Sequence, residues 1–161
     1  MRIFITVGSQ KFPFNRLLEA VDRLVGEGKI PDEVFAQIGS SDYVPRNFPS
    51  RAFLDQDEFA AELDRADIVL THGGTGVIIN AVKRGKKVIA VPRLRQYGEH
   101  VDDHQIELLR QFEALDLICR WDDCATLDEA VALVKKTQYK PYQSNTQAII
   151  DSIEDFIKKS F

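Results

Sequence analysis

The stretch from Asp67 to Arg110, DIVLTHGGTGVIINAVKRGKKVIAVPRLRQYGEHVDDHQIELLR, constrains the fold more than any other part of the chain. Ile68-Val69-Leu70 is a short run of branched apolar residues, as expected of a strand buried on both faces. Thr71-His72-Gly73-Gly74-Thr75-Gly76 interrupts it with glycines, which permit positive φ and let a ligand approach the backbone closely. Val77, Ile78, Ala81 and Val82 then recur at helical spacing, and Gly85 ends the helix. Lys87 to Pro92 is a second buried strand. Strand, helix and strand in this order form a βαβ unit with parallel strands and a right-handed crossover. Two loops therefore leave carboxyl strand ends on one edge: the glycine turn and the polar segment after Pro92. In open parallel sheets that edge binds ligands. The glycine turn also opens a helix, whose unsatisfied N–H groups and dipole favour an anion. A phosphate-bearing small molecule is the expected ligand class.

The rest of the chain repeats the alternation. Arg2 to Val7 reads as a first strand, followed by Gly8-Ser9-Gln10 and an aromatic-proline loop. Asn15 can cap a helix with Leu17, Leu18, Val21, Leu24 and Val25 on one face, ended by Gly26 and Gly28. Val34 to Ile38 is a second strand leading into Gly39-Ser40-Ser41. Arg51 to Leu54 reads as a short third strand, and Asp55 or Asp57 as the cap of a helix with Phe59, Leu63 and Ala66. After the central unit come a helix from Asp102 to Phe112, a strand from Asp116 to Arg120, and a helix capped by Thr126 and running through Val134. A terminal helix spans Thr146 to Lys159. This pattern predicts an α/β fold, a Rossmann-like doubly wound parallel sheet in a single domain over residues 1–161. The terminal helix carries Ile149, Ile150, Ile153, Phe156 and Ile157 on one broad face, either to pack on its own domain or to dock a partner.

Composition narrows the function classes. A net charge of −4 leaves no basic footprint, so nucleic acid is not an expected partner. Cys119 and Cys124 are too few and too close for a disulfide framework or a tetrahedral metal site, which points to a reducing, cytoplasmic location. MRIFITVG reads as a strand rather than a signal peptide. No segment reaches the roughly 18 apolar residues that span a bilayer, so membrane association would come through a partner.

The junctions at Gly8, Gly39 and Gly73 all lie at carboxyl strand ends, which a doubly wound sheet brings together. His72 can be read as a general base, a phosphate contact or a structural turn histidine. Thr75 is the better phosphate candidate, and a side chain on Gly74 is expected to enter the phosphate space. In Glu99-His100-Val101-Asp102-Asp103-His104-Gln105, the two histidines have the spacing of a zinc pair. However, His100 precedes the helix, no HExxH pattern is present, and Asp102 and Asp103 are explained by the helix dipole; no metal site is expected. Asp103 and Gln105 suit bidentate hydrogen bonding to vicinal sugar hydroxyls. Arg93 and Arg95 either neutralise a diphosphate or are simply solvated. A P-loop, a GxGxxG turn after the first strand and a GxSxG elbow are all absent.

The segments ITVGSQKFPFNRLL, AQIGSS, FAAELDRADIVLTHGGTGVIINAVKRGKKVIAVPR and GEHVDDHQIELLRQF contain a HGGxG turn, a GKxxIxVP strand and a DxHQ helix start. In this order and spacing the chain resembles, nearly end to end, the glycosyltransferase family 28 C-terminal domain, the nucleotide-sugar-binding half of GT-B glycosyltransferases. Within that family it looks like the stand-alone subunits of two-chain enzymes, as in dolichol-linked N-acetylglucosamine transfer and in bacterial exopolysaccharide or capsule synthesis. The resemblance implies a hexosyltransferase subunit that binds a UDP-sugar and, with a membrane-anchored partner holding the acceptor, transfers the sugar to a lipid-linked acceptor. It implies no cofactor and no metal, because helix dipole, backbone amides and cations stabilise the leaving diphosphate. It places the protein in the cytoplasm, peripheral at the membrane through that partner.

By position, Gly8 and Ser9 would approach the diphosphate, and Gln37 and Gly39 the nucleotide. Gly73, Gly74, Thr75 and Gly76 would bind phosphate, while Asp103, His104 and Gln105 would face the sugar. Asn80 departs from the glutamate that many GT-B enzymes use to hold the ribose, which leaves the nucleotide (uridine by analogy) open. No residue is a clear general base, as expected if the partner supplies it. The alternatives are a non-catalytic accessory subunit that enhances a partner transferase, and a nucleotide-sugar enzyme acting alone.

Overall fold

The computed structural model describes residues 1–8, 12–97, 104–143 and 145–160. Six strands alternate with helices: β1 (Arg2–Thr6), α1 (Asn15–Gly26), β2 (Glu33–Gln37), β3 (Ser50–Arg51), α2 (Gln56–Arg65), β4 (Ile68–Thr71), α3 (Thr75–Lys83), β5 (Lys87–Ala90), α4 (His104–Ala114), β6 (Cys119–Arg120), α5 (Leu127–Lys136) and α6 (Thr146–Ser160). Short 3-10 turns occupy Arg95–Tyr97 and Cys124–Thr126.

All strand pairs are parallel, in the order β3-β2-β1-β4-β5-β6. The chain begins at the centre, winds outward to β3, returns to lay β4 beside β1, and winds outward again to β6. Strand order therefore reverses between β1 and β4, where the following loops diverge and leave a crevice. Side chains alternate across the sheet with period two. Ile3, Ile5 and Leu70 face α1 and α5, against Leu17, Val21 and Val131. Phe4, Val69 and Val88 face α2, α3 and α4, against Leu63, Ile78 and Phe112. The Phe4 ring stacks on Phe35 at 6.3 Å and meets the edge of Phe59 at 5.4 Å. The doubly wound α/β architecture expected from the sequence is thus the one observed.

Several local expectations need correction. Asn15 does not cap α1; its Oδ1 accepts the backbone N–H groups of Asp42 (3.0 Å) and Tyr43 (3.1 Å), and Phe14 holds the cap position. Asp55, not Asp57, caps α2, in a capping box with Glu58. Strand β3 stops at Arg51 because the N–H of Leu54 is drawn off by Gln37 Oε1 at 3.0 Å. Asp116 does not start a strand. It sits at φ 57°, a left-handed residue closing α4, so β6 begins only at Cys119. Thr126 precedes α5 without capping it; its Oγ1 accepts Trp121 Nε1–H at 3.1 Å and donates to the Asp123 carbonyl at 3.2 Å. The helix expected from Asp102 is described from His104 onward. Helix α6 packs on α4 and buries Ile150 (1% exposed), while Ile149 and Phe156 stay 40% and 69% exposed. Among the described residues no helix is long and apolar enough to cross a membrane.

Candidate functional site

At the carboxyl edge of the sheet, buried polar side chains tie the central strands together. Thr71 Oγ1 donates to the Thr6 carbonyl at 2.9 Å. Gln37 Nε2 donates to Thr6 Oγ1 at 3.3 Å, and Gln37 Oε1 accepts the N–H of Leu54. Thr6, Gln37 and Thr71 are all buried. Their hydrogen bonds are the condition for burying polar groups without a large desolvation penalty.

The three glycine junctions do converge here: His72 packs between two of them, and the third, at Gly39, packs on Gly8. The His72 ring, 4% exposed, lies between the turn after β1 and the turn after β4. A Cβ on Gly8 would stand 2.5 Å from His72 Nε2, and one on Gly74 would stand 2.8 Å from the same atom and closer still to Cε1. A Cβ on Gly39 would meet the Gly8 carbonyl oxygen at 2.6 Å. Gly8 and Gly39 also adopt positive φ, 78° and 58°. Gly39, Gly8, His72 and Gly74 therefore form one close-packed stack across the switch point. A side chain on Gly74 would strike this imidazole, not the space in front of the helix. Gly73 is buried beside the stack, whereas the Cβ direction of Gly76 is open.

Helix α3 starts from this stack. Gly74 takes the cap position with an extended ψ of 118°, and no side chain caps the first turn. The leading N–H groups, near Thr75 and Gly76, thus point out of the carboxyl edge with the positive end of the dipole. Beside them a cleft of about 400 Å³ opens between α2 and α3. Gly8 and Gln37 form its floor and Phe53 and Asp55 one wall; Asn80 of α3 and Arg84, just past the end of that helix, stand on the other. Arg84 is ion-paired with Asp64. The N–H groups that open α3 and the amide of Asn80 in the cleft thus offer chemistry for a phosphate group and hydroxyl groups.

The glycosyltransferase family 28 C-terminal domain matches residues 2–160. The chain belongs to this family. It is 28% identical over 122 residues to the mouse UDP-N-acetylglucosamine transferase subunit ALG13, and 28% identical over 118 residues to the human protein of that name; each alignment covers 68% of this chain and 10% of the relative. The chain therefore spans about a tenth of the length of these relatives. An NMR structure of ALG13 matches 97% of this chain and 94% of its own, with a TM-score of 0.61 at 18% identity. The kitacinnamycin glycotransferase matches 98% of this chain and 38% of its own, with a TM-score of 0.64 at 17% identity. These likenesses establish a Rossmann-like GT-B fold.

In this family 28 domain the other singled-out positions divide in two. Ser9, His100, Asp102 and Asp103 lie outside the described residues, as do the side chains of Arg95, His104 and Gln105; the backbone puts His104 and Gln105 in the first turn of α4, on the carboxyl edge. Arg93 is neither solvated nor aimed at a ligand. Fully buried, it donates to the carbonyls of Phe12 (2.8 Å) and Val7 and lies 5.1 Å from the centre of the Phe14 ring. It staples the loop after β1 to the end of β5. Among the described residues no three His, Cys, Asp or Glu side chains cluster as metal ligands would. Sequence reasoning missed Thr6, Phe53 and Arg84. None of the three carried a signal: Phe53 reads as a residue of the expected strand Arg51–Leu54, and only the early end of β3 leaves it 52% exposed at the cleft.

Proposed function

We propose that the cleft beside α3 binds the nucleoside diphosphate of a UDP-sugar, with phosphates at the start of α3 and ribose at Asn80. The observation that carries this reading is the close packing of Gly8 and Gly74 on His72, and of Gly39 on Gly8, at the switch point, directly beside a 400 Å³ cleft. The domain then acts as the donor-binding subunit of a two-chain glycosyltransferase. A membrane-anchored partner holds a lipid-linked acceptor, and a hexose or N-acetylhexosamine is transferred at the cytoplasmic face. The name of the ALG13 relatives, UDP-N-acetylglucosamine transferase subunit, supports this direction. Leaving-group charge is met by backbone N–H groups and the α3 dipole, so no metal cofactor is required. The partner contributes the general base, since His72 is enclosed by the two glycine turns.

Calorimetric titration of the isolated domain with UDP tests the site: saturable binding is expected, and none would remove it. Gln105, at the start of α4, is assigned to the sugar. Gln105→Ala should weaken UDP-N-acetylglucosamine at least several-fold while leaving UDP unchanged; equal losses for both would end that role. The second reading, an accessory subunit that enhances a partner, draws on Asn80 standing where a ribose-binding glutamate is common. It is favoured if the domain binds neither ligand yet raises the partner's activity.

A further inference from the structure

A single uncharged side chain joins the two sides of the cleft. Gln37 ends β2, is 5% exposed, and pairs in register with Thr6 of β1 and Arg51 of β3. It shares a sheet face with Phe35, two residues back, and so lies on the α2 and α3 side, in the cleft floor. On one side its Nε2 donates to Thr6 Oγ1 at 3.3 Å, and the same oxygen accepts the N–H of Gly8 at 3.4 Å. Thr71 Oγ1 holds Thr6 in turn, through the Thr6 carbonyl. On the other side Gln37 Oε1 accepts the N–H of Leu54 at 3.0 Å. These two bonds need a donor and an acceptor on one group. A primary amide carries both, whereas a carboxylate only accepts.

The Leu54 bond falls between two other holds on the backbone. Pairing with β2 continues one step past β3, from the Gly39 N–H to the Ala52 carbonyl at 2.8 Å. Helix α2 then begins at the Asp55 capping box. Phe53 and Leu54 bridge the interval. With its N–H drawn in to Gln37, Leu54 packs on the core of the α2 and α3 face, while Phe53 is left 52% exposed on the cleft wall. Thr6 and Thr71 thus anchor the amide, and Leu54 is what the amide places.

We propose that Gln37 is a positioning residue of the donor site, which sets the Phe53 wall at its distance from the Gly8 turn by acting through Leu54. This rests on the donor reading of the cleft. Order in the wall is established on folding rather than on binding, and that preorganisation raises affinity for the nucleoside diphosphate.

Calorimetric titration of the full chain with UDP, together with amide exchange read by NMR, tests it. Met is similar in length to Gln, donates nothing and accepts weakly. Gln37→Met should speed exchange of the Leu54 N–H at least tenfold and leave the Ile5 and Leu70 amides unchanged. It should also lower UDP affinity by roughly three- to tenfold, the factor one net hydrogen bond carries. Phe53→Ala, at an exposed position, should lower affinity at least about fivefold. The double variant decides between acting through the wall and gripping the ligand directly. If Gln37 acts through the wall, adding Gln37→Met to Phe53→Ala changes affinity by less than about twofold. Additive losses overturn the proposal, and so does an unchanged Leu54 exchange rate in Gln37→Met. Should Gln37→Met not fold, Gln37→Asn, one methylene shorter and unable to reach both partners, takes its place in the same cycle. Absence of UDP binding by the wild-type chain overturns the donor reading and this proposal with it. Saturable wild-type binding with additive losses overturns this proposal alone.

Discussion

Asp22 is 2% exposed, yet its carboxylate accepts the Tyr43 hydroxyl at 2.5 Å and the backbone N–H groups of Arg46 at 3.0 Å and Asn47 at 2.8 Å. Burial is the largest single influence on this group and works to raise its pKa. The hydrogen bonds from Tyr43, Arg46 and Asn47 together outweigh it and hold the carboxyl below the ordinary carboxylate range. A carboxyl depressed on folding stabilises the fold above its unfolded pKa of about 3.9, and this contribution is lost as pH falls through the lower folded value. Asp22→Asn should therefore cost about 1–3 kcal/mol at neutral pH and flatten the stability profile below about pH 4, read from urea melts across pH. An unchanged acid limb would assign that limb to other carboxylates. The His72 stack permits a sharper test. Gly74→Ala should destabilise by driving a methyl into the imidazole, and His72→Ala should relieve it, so the double variant should be more stable than the sum of the singles by about 1–3 kcal/mol. Additive effects would show that the two do not touch. The glycines of this stack were legible because a glycine at a strand end advertises a backbone need. The imidazole that imposes the need was not legible, since burial belongs to packing. Arg93 failed for the same reason: an arginine in a polar loop reads as solvated until Phe14 and two carbonyls enclose it.

Among elements, α6 divides its apolar residues between two environments. Ile150 is buried against α4, whereas its neighbour Ile149 is not. Ile150→Ala should lose about 2–5 kcal/mol, while Ile149→Ala should stay within about 0.5 kcal/mol; chemical denaturation of both variants checks the contrast. Equal losses would mean that both residues are core. Helical spacing put these residues on one face but could not say how wide a part of that face the domain covers. Boundaries followed the same logic. The α2 start was readable to within two residues, since Asp55 and Asp57 both offered a cap and Glu58 stands in the reciprocal position only to Asp55. The ends of β3 and α4 were not readable. The first depends on a side-chain amide from another strand, Gln37, and the second on Asp116 taking a left-handed conformation that glycine would have signalled.

For the whole molecule, the doubly wound parallel sheet was legible because alternation and right-handed crossovers leave few topologies, and that class alone placed the ligand edge at the carboxyl strand ends. What it could not locate was the cleft wall, since Arg84 and Phe53 reach it only through the way α2 and α3 flank the cleft. A ligand seated there couples to global stability. UDP at 100 times its dissociation constant should stabilise the domain by about 2.7 kcal/mol, raising the melting temperature by about 5–10 °C for a chain of this size. No shift at saturating UDP would detach the cleft from the donor. The central position of β1 has a further result for synthesis. Its inner partner is β4, paired Ile3 with Ile68 and Thr6 with Thr71, a separation of 65 residues. At about 5–20 residues per second, a ribosome takes roughly 3–13 s to deliver that partner. Throughout that interval Ile3, Phe4 and Ile5 present an open, apolar strand edge of the kind that recruits other chains. A nascent chain stopped before Ile68 is therefore the aggregation-prone species, and the stretch that builds the crevice is also the one that completes the centre of the sheet.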